Sequence, residues 1–540
     1  MITAHSGRRL VPETGGETAS ARRHWWRGPQ LVVPMIAGLL YVLVVAVRLP
    51  EILSSFYWYA DFPAALHLGD AIFHAGWGHG VPLRDQAGLG PLWLVGLLDQ
   101  VSGNAVAGMA LGGAMMIASI ALMVSTARRV MKAPNAVLVG VLCVAAPPVV
   151  AWEALSPLAH GCTVLLTAAG AWQLVALSRQ RVRHSVASSL AVGALAGVCI
   201  ASDTLAVAAA VGPWLICASV LGHRRPDRRG VLLITAGIAS LTAIAVSVTA
   251  HANGIVSTGI SAPGLSLAGV GAGLRVAAST LGQMISGAWY DDALPGALAI
   301  AAFVLFAALF YLAIRGVAHR RPHAPADREV YVCFWALSSA GLIGALCVTG
   351  LGVQTSPINY QGHYLDGLWF ALAAVLPIAF GTAGWGRRVA VGVVACLALV
   401  SAAGVIRLTP YPFEGPDYTD AAQLTATLTE LGVAQGYGGY WESYSVGWNV
   451  GKGVSVLPLQ LCRYASGAAG LCRFQHAAPA SYALRPGPVF IIVLRGSCHD
   501  GLCIDASNLA ALPAPEDVRE VGLLQVDVYS RDIFADLPVA

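Results

Sequence analysis

The stretch 50–102 reads PEILSSFYWYADFPAALHLGDAIFHAGWGHGVPLRDQAGLGPLWLVGLLDQVS and separates two segments that are apolar enough to cross a lipid bilayer. The stretch itself is too polar to cross one. Four consecutive aromatic residues, 56–59, lead into Asp61. Aromatic rings with a polar edge favour the boundary between membrane and water. The sequence therefore predicts a carboxylate, Asp61, that is held at a membrane surface.

The whole chain has the composition of a polytopic membrane protein. Of its 540 residues, 56% are hydrophobic and only 11% are charged, whereas about 25% of residues in soluble proteins are charged. We predict an all-α polytopic membrane domain of about eleven transmembrane helices. The predicted spans are 30–47, 104–126, 134–151, 161–177, 186–201, 205–221, 230–250, 294–315, 330–351, 364–383 and 389–406.

The basic loops predict how these spans are oriented. Every second loop is rich in Lys and Arg, namely at 128–132, 179–183, 224–229, 315–321 and 387–388. The loops between them carry few basic residues, with Arg48, Arg84 and Arg275 as exceptions, and Arg48 is interpreted as an anchor for lipid headgroups. The positive-inside rule then places a tail, residues 1–29, in the cytoplasm and the C-terminus outside a bacterial inner membrane or another plasma membrane.

A second, external domain is predicted after the transmembrane domain 30–406. From 407 to 540 the apolar runs shorten, and the region carries 13 acidic and 8 basic residues. The net positive charge thus belongs to the membrane part, which favours membrane topology over nucleic-acid binding. A helix is predicted at 417–431, with Thr419 as its N-cap and Gly432 after its end. Strands are predicted at 454–459, 489–494 and 523–529, which gives a small α/β domain.

Four cysteines in this polar region predict an oxidising compartment. Their even number favours two disulfides. The sequence permits three pairings of Cys462, Cys472, Cys498 and Cys503, of which the local pairs 462–472 and 498–503 are preferred. A zinc site with His476 or His499 is the alternative, although the spacings are not C-x-x-C. The other seven cysteines lie in or beside apolar segments and are interpreted as small hydrophobic residues.

Short motifs resemble the GT-C superfamily of integral-membrane glycosyltransferases, and within it the family 39-like proteins, which include protein O-mannosyltransferases and lipid A aminoarabinose transferases. The motifs are Asp61-Phe62-Pro63-Ala64-Ala65 with Gly80-Val81-Pro82 and Gly90-Pro91-Leu92-Trp93, then His363-Tyr364-Leu365, and then Gly436-Tyr437-Gly438-Gly439-Tyr440-Trp441. The chain departs from the family pattern in three places. It has Asp61-Phe62 for an Asp-Glu pair, Gly90-Pro91 for Pro-Pro, and His363 for Arg.

The resemblance implies transfer of a sugar from a polyprenyl-phosphate lipid to a hydroxyl of a glycan, lipid or protein on the external face, with inversion at the anomeric carbon. Such a reaction needs a base for the hydroxyl proton and cations for the departing phosphate. Asp61 is the predicted base, with Glu153 sharing that role or positioning the acceptor. Alternatively, Asp61 is a helix N-cap before Phe62-Pro63, and Glu153 is a charge at a loop end.

Scarce cations and aromatic residues near the predicted external surface complete the candidate site. Arg84, Arg275 and His363 are predicted to bind the donor phosphate, or else they meet lipid headgroups. The predicted sugar or acceptor contacts are Trp289, Tyr290, Asp291, Asp292 and Tyr364. The alternative for 289–292 is a solvated loop end. His160 and Asp203 are interpreted as structural. No cofactor is predicted with certainty, and a role for a divalent metal is left open.

Two other classes of function remain alternatives: a transporter or flippase of lipid-linked sugars, and a non-catalytic partner in envelope assembly. Transporters are often built from internal repeats, and no repeat is visible in this chain. They also place ionisable residues within their spans, and such residues are scarce here. Both observations favour the enzyme.

Overall fold

The structure is a computed structural model that describes residues 29–56, 62–63, 65–66, 89–156, 159–179, 185–252, 266–289, 294–318, 326–349, 359–381, 384–408, 418–450, 453–463, 469–473, 487–495, 504–509 and 512–532. Its N-terminal part is helical: α1 (Pro29–Phe56), α2 (Leu89–Ser102), α3 (Ala105–Val130), α4 (Ala133–Val144), α5 (Pro148–Leu155), α6 (Ala159–Ser178), α7 (Ser185–Ser202), α8 (Gly212–Arg224), α9 (Arg229–Ala252), α10 (Leu267–Ser286), α11 (Gly296–Ala318), α12 (Ala326–Thr349), α13 (Gly367–Ala379) and α14 (Gly384–Arg407). A π-helical turn, Val207–Val211, precedes α8, and a 3-10 helix, Asn359–Leu365, precedes α13.

The membrane character that the sequence predicts is confirmed. Within the described residues, nine helices are long and apolar enough to cross a membrane, and α4 with α5 adds a tenth span if the bent pair counts as one. The shorter apolar helix Val186–Ser202 coincides with the fifth predicted span, 186–201. Helix α2 has 14 residues and is about 21 Å long, too short to cross about 30 Å of hydrocarbon. It packs against α3 instead.

Small residues and buried hydrogen bonds hold the helices together. A Cβ atom on Gly197 of α7 would lie 2.5 Å from the carbonyl oxygen of Ala239 on α9, so these two helices touch through their backbones. Close approach at small residues is a general means of helix association in membranes. Gln173 Nε2 donates to Thr235 Oγ1 over 2.9 Å and Trp214 Nε1 donates to Gln173 Oε1 over 2.9 Å. This network joins α6, α8 and α9 inside the bundle.

Arg48, interpreted as an anchor for lipid headgroups, also makes contacts within the protein. Its guanidinium donates to the carbonyl oxygens of Ile406 and Leu408 and forms an ion pair with Glu51 over 2.6 Å. The last carbonyls of a helix have no partner within the helix, and a basic side chain satisfies them well. Arg48 therefore ties the end of α1 to the end of α14.

The C-terminal part contains the predicted α/β domain, with α15 (Tyr418–Leu431), β1 (Gln435–Gly438), α16 (Tyr440–Asn449), β2 (Ser455–Arg463), β3 (Ala469–Arg473), β4 (Val489–Leu494), β5 (Asp517–Val521) and β6 (Leu524–Tyr529). The strands form one six-stranded sheet in the order β3-β2-β1-β4-β6-β5. Strand β1 is parallel to β2 and to β4, and the other pairs are antiparallel. The three predicted strands correspond to β2, β4 and β6.

The domain differs from the sequence prediction at the start of α15, and its elements α16, β1, β3 and β5 were not predicted. Helix α15 begins at Tyr418, so Thr419 lies inside the helix and is not its N-cap, whereas Gly432 follows its end with φ +66° as expected. Strand β1 was not predicted, because glycine is depleted in strands. The structure shows why Gly436 is there, since a Cβ atom would lie 2.3 Å from the carbonyl oxygen of Phe490.

One predicted disulfide is present. Cys462 and Cys472 are bonded to each other and join the antiparallel strands β2 and β3. Cys498 and Cys503 lie outside the described residues. The domain boundaries at 29/30 and 406/407 and the placement of the C-terminal domain outside the membrane stay predictions.

Candidate active site

A sharp bend between α4 and α5 positions the first site residue. The predicted span 134–151 is not straight, since α4 ends at Val144 and α5, which begins at Pro148, runs at 80° to it. Pro147 has φ −64° and ψ 161° and cannot continue a helix before another proline, whereas Pro148 suits the first helical turn. Glu153 lies on the redirected helix and is 3% exposed. The bend therefore turns a carboxylate into the protein interior at one end of the bundle.

A second buried carboxylate, Asp366, lies near Glu153 and was missed by the sequence analysis. Asp366 is also 3% exposed and directly precedes α13, and the charge of Glu153 acts on it. Its Oδ1 atom is buried and forms no hydrogen bond with any residue that the structure describes. The signal that could have found it is a carboxylate next to an apolar helix, because ionisable residues within membrane segments are rare and functional.

Two histidines and a tyrosine form a ring cluster at the same end of the bundle. The ring centroids of His363 and Tyr364 are 3.8 Å apart, and that of His160 lies 5.3 Å from His363 and 5.4 Å from Tyr364. His363 is 4% exposed. In a 3-10 helix, side chains three residues apart lie on the same face, so His363 and Asp366 project from one side of the segment that begins at Asn359.

Asp203 contacts this ring cluster through His160. His160 Nδ1 lies 3.3 Å from Asp203 Oδ2, Thr163 Oγ1 donates to the same oxygen over 2.6 Å, and the Leu205 amide donates to Oδ1. Burial alone would raise the pKa of the Asp203 carboxyl, but the charge of His160 and these hydrogen bonds lower that pKa below its ordinary value. Asp203 is therefore an anion that orients His160 against His363 and Tyr364.

Trp289, which follows the end of α10, also lies in this region. It is mostly buried, and its ring packs edge to face on Trp152 with the centroids 6.3 Å apart. Trp152 directly precedes Glu153 on α5. Arg275 does not join the buried residues, since its side chain is exposed on α10. The remaining predicted site residues lie outside the described residues, namely Asp61, Arg84, Tyr290, Asp291 and Asp292.

The structure thus brings together Glu153, His363, Tyr364 and the unforeseen Asp366 and leaves Arg275 apart. Among the described residues, no three His, Cys, Asp or Glu side chains are grouped so that they could hold a metal ion. What the arrangement offers chemically is a pair of buried carboxylates beside a buried imidazole. Such groups can accept a hydroxyl proton and bind an anion, respectively.

Comparison with known proteins shows a likeness to solved structures. No protein-family model matches the sequence, and no curated protein matches it. Among solved structures, the chain is similar to apo ArnT from Cupriavidus metallidurans, with a TM-score of 0.54, 13% identity, and 90% of this chain and 97% of that chain covered. The likeness to the same ArnT bound to undecaprenyl phosphate has a TM-score of 0.53 at 12% identity, with the same coverage. The chain therefore shares the fold of ArnT over nearly its whole length.

Proposed function

We propose that the protein is a membrane glycosyltransferase that moves a sugar from a polyprenyl-phosphate donor to an acceptor hydroxyl at the external face of the membrane. The observation that carries this proposal is the buried pair Glu153 and Asp366 beside His363, at one end of a bundle with the ArnT fold. ArnT has been solved with undecaprenyl phosphate bound. A polyprenyl phosphate is therefore the donor lipid that the proposal adopts.

The burial of these groups argues against a purely structural role. A carboxylate that is removed from water loses several kcal/mol of solvation free energy, on the order of the stability of a whole domain, unless cations or hydrogen bonds replace the water. Two interacting carboxylates in an apolar setting add repulsion to this cost. Proteins keep such arrangements chiefly where the groups do chemistry. The site therefore fits an enzyme better than a scaffold.

The proposed reaction is a single displacement. Asp61 accepts the proton of the acceptor hydroxyl while the oxygen attacks the anomeric carbon of the donor sugar. The bond from that carbon to the phosphate oxygen breaks, its electrons leave with the polyprenyl phosphate, and the configuration inverts. Because phosphate is a good leaving group, no strong general acid is needed. Glu153 positions the acceptor or shares the base role.

The other predicted residues take part in binding. His363 is a buried donor for the phosphate, and Arg84 and Arg275 are the proposed cations that meet the phosphate at the membrane surface. An exposed guanidinium suits that task, since it can form two parallel hydrogen bonds with phosphate oxygens. Trp289 and Tyr364 offer ring faces to the sugar or acceptor, with Tyr290, Asp291 and Asp292 beside them in sequence. The proposal does not require a divalent metal at the phosphate.

The test is a transfer assay with the purified full-length chain in lipid vesicles. Vesicles are supplied with a panel of polyprenyl-phosphate sugars and with envelope glycan, lipid and protein fractions as acceptors. We expect one donor to be consumed, with free polyprenyl phosphate and glycosylated acceptor formed in equal amounts. A flippase would move the donor to the other leaflet without consuming it, and an assembly partner would do neither, so either outcome would overturn the proposal.

A further inference from the structure

Two cysteines of separate helices meet beside the candidate site. The Sγ atoms of Cys162 on α6 and Cys199 on α7 are 3.0 Å apart although the residues are 37 positions apart in sequence. Both side chains are buried, with exposures of 6% and 1%. A disulfide bond is about 2.05 Å long, so a shift of about 1 Å would bring the two sulfurs to bonding distance.

The two cysteines are directly connected to the residues that hold Asp203. Cys162 is followed by Thr163, which binds the Asp203 carboxylate, and the amide of Asp203 donates to the carbonyl oxygen of Cys199 over 2.7 Å. Asp203 in turn orients His160 against His363. A bond between the two sulfurs would therefore fix the first turn of α6 to the last turn of α7, the two turns that hold this network.

The surroundings favour oxidation of this pair. The loops around Cys162 and Cys199 belong to the end of the bundle that the basic loops predict to be external. The bonded pair Cys462–Cys472 independently indicates that part of the chain matures in an oxidising compartment. Among the cysteines that the structure describes, Cys162 and Cys199 belong to the seven with free thiols.

We infer that Cys162 and Cys199 are oxidised to a disulfide as the protein matures. The two thiols lose two protons and two electrons, and the electrons reduce the disulfide of an extracytoplasmic thiol oxidase through a mixed-disulfide intermediate. Because both sulfurs are buried in the folded chain, the exchange takes place before α6 and α7 close on each other. This inference stands apart from the proposed function, since it needs no particular substrate.

The chain provides a matched control at the opposite end of the bundle. Cys217 on α8 and Cys333 on α12 also neighbour each other, on two helices that pack together. They lie next to the basic loops and hence on the side predicted to be cytoplasmic, where thiols stay reduced. Both pairs thus consist of neighbouring cysteines on two packed helices, and they lie on opposite predicted sides of the membrane.

The experiment is differential thiol labelling of the full-length protein. Membranes are denatured in the presence of N-ethylmaleimide, then reduced and labelled with its heavy isotopologue, and each cysteine peptide is quantified by mass spectrometry. We expect the heavy label on Cys162 and Cys199, as on Cys462 and Cys472, and the light label on Cys217. Light label on Cys162 and Cys199 in the wild-type protein would overturn the inference.

The variant Cys162→Ser identifies the bonding partner. If Cys199 pairs with Cys162, Cys199 changes from heavy to light label in this variant, while Cys462 and Cys472 keep the heavy label. A heavy label that persists on Cys199 would mean a different partner and would contradict the inference. The wild-type result is decisive by itself if the variant is not expressed.

Discussion

Asp61→Asn is expected to lower the rate of sugar transfer by about 10²–10⁴-fold, the usual contribution of a positioned base. The substitution keeps the size of the side chain and removes its ability to accept the proton. Since the substitution leaves in place the four aromatic residues 56–59, which are predicted to lie at the membrane surface, we expect membrane insertion and melting temperature to stay at wild-type values. The measurement is the initial rate of transfer by purified protein at saturating donor.

The control for this variant is Asp99→Asn. Asp99 is a partly exposed carboxylate on α2, within the same predicted external loop. Its replacement should leave the rate unchanged. Transfer at the wild-type rate by Asp61→Asn would show that the base is another group, and Glu153, Asp291 and Asp292 would be the next candidates.

Glu153→Gln is expected to lower kcat/KM for the acceptor by about 10²-fold, because a small misplacement of a reacting group has effects of this size. The donor should bind as well as before. The melting temperature provides a second readout that separates function from structure. Glu153 and Asp366 are both buried, and the charge of Glu153 acts unfavourably on the Asp366 carboxyl, so its removal relieves that interaction. The variant should therefore melt no lower than the wild type.

A structural role for Glu153 would give the opposite pattern. The melting temperature would fall, while the activity of each folded molecule would stay at the wild-type level. The matched control is Glu430→Gln, which replaces an exposed glutamate on α15. It should change neither quantity.

The spans could be predicted from the sequence because length and apolar character are properties of single segments. The break within 134–151 was visible only as Pro147-Pro148, and its angle of 80° depends on how α5 packs. Because of this angle, Glu153 on α5 lies in the protein interior. The sequence thus indicated that Glu153 is a candidate residue, but only the structure shows that its side chain is buried.

Sequence patterns did not predict the contacts between segments that are distant in the chain. Asp203 was interpreted as structural. Its hydrogen bond from the Leu205 amide is a local contact, whereas its approach to His160 across 43 positions is a tertiary contact. Asp366 was not predicted, because the motif that carries the family resemblance, His363-Tyr364-Leu365, ends one residue before it. Its proximity to Glu153 depends on the packing of α5 against the 3-10 segment.

The most direct test of the proposed function is the mass of the lipid that accumulates when the gene is deleted. If the protein consumes a polyprenyl-phosphate sugar, lipid extracts of the deletion strain should contain that lipid in excess. The wild-type chain should remove the excess on reintroduction, and Asp61→Asn should not. An unchanged polyprenyl-phosphate-sugar pool in the deletion strain, together with purified protein that carries no such lipid, would contradict the assignment.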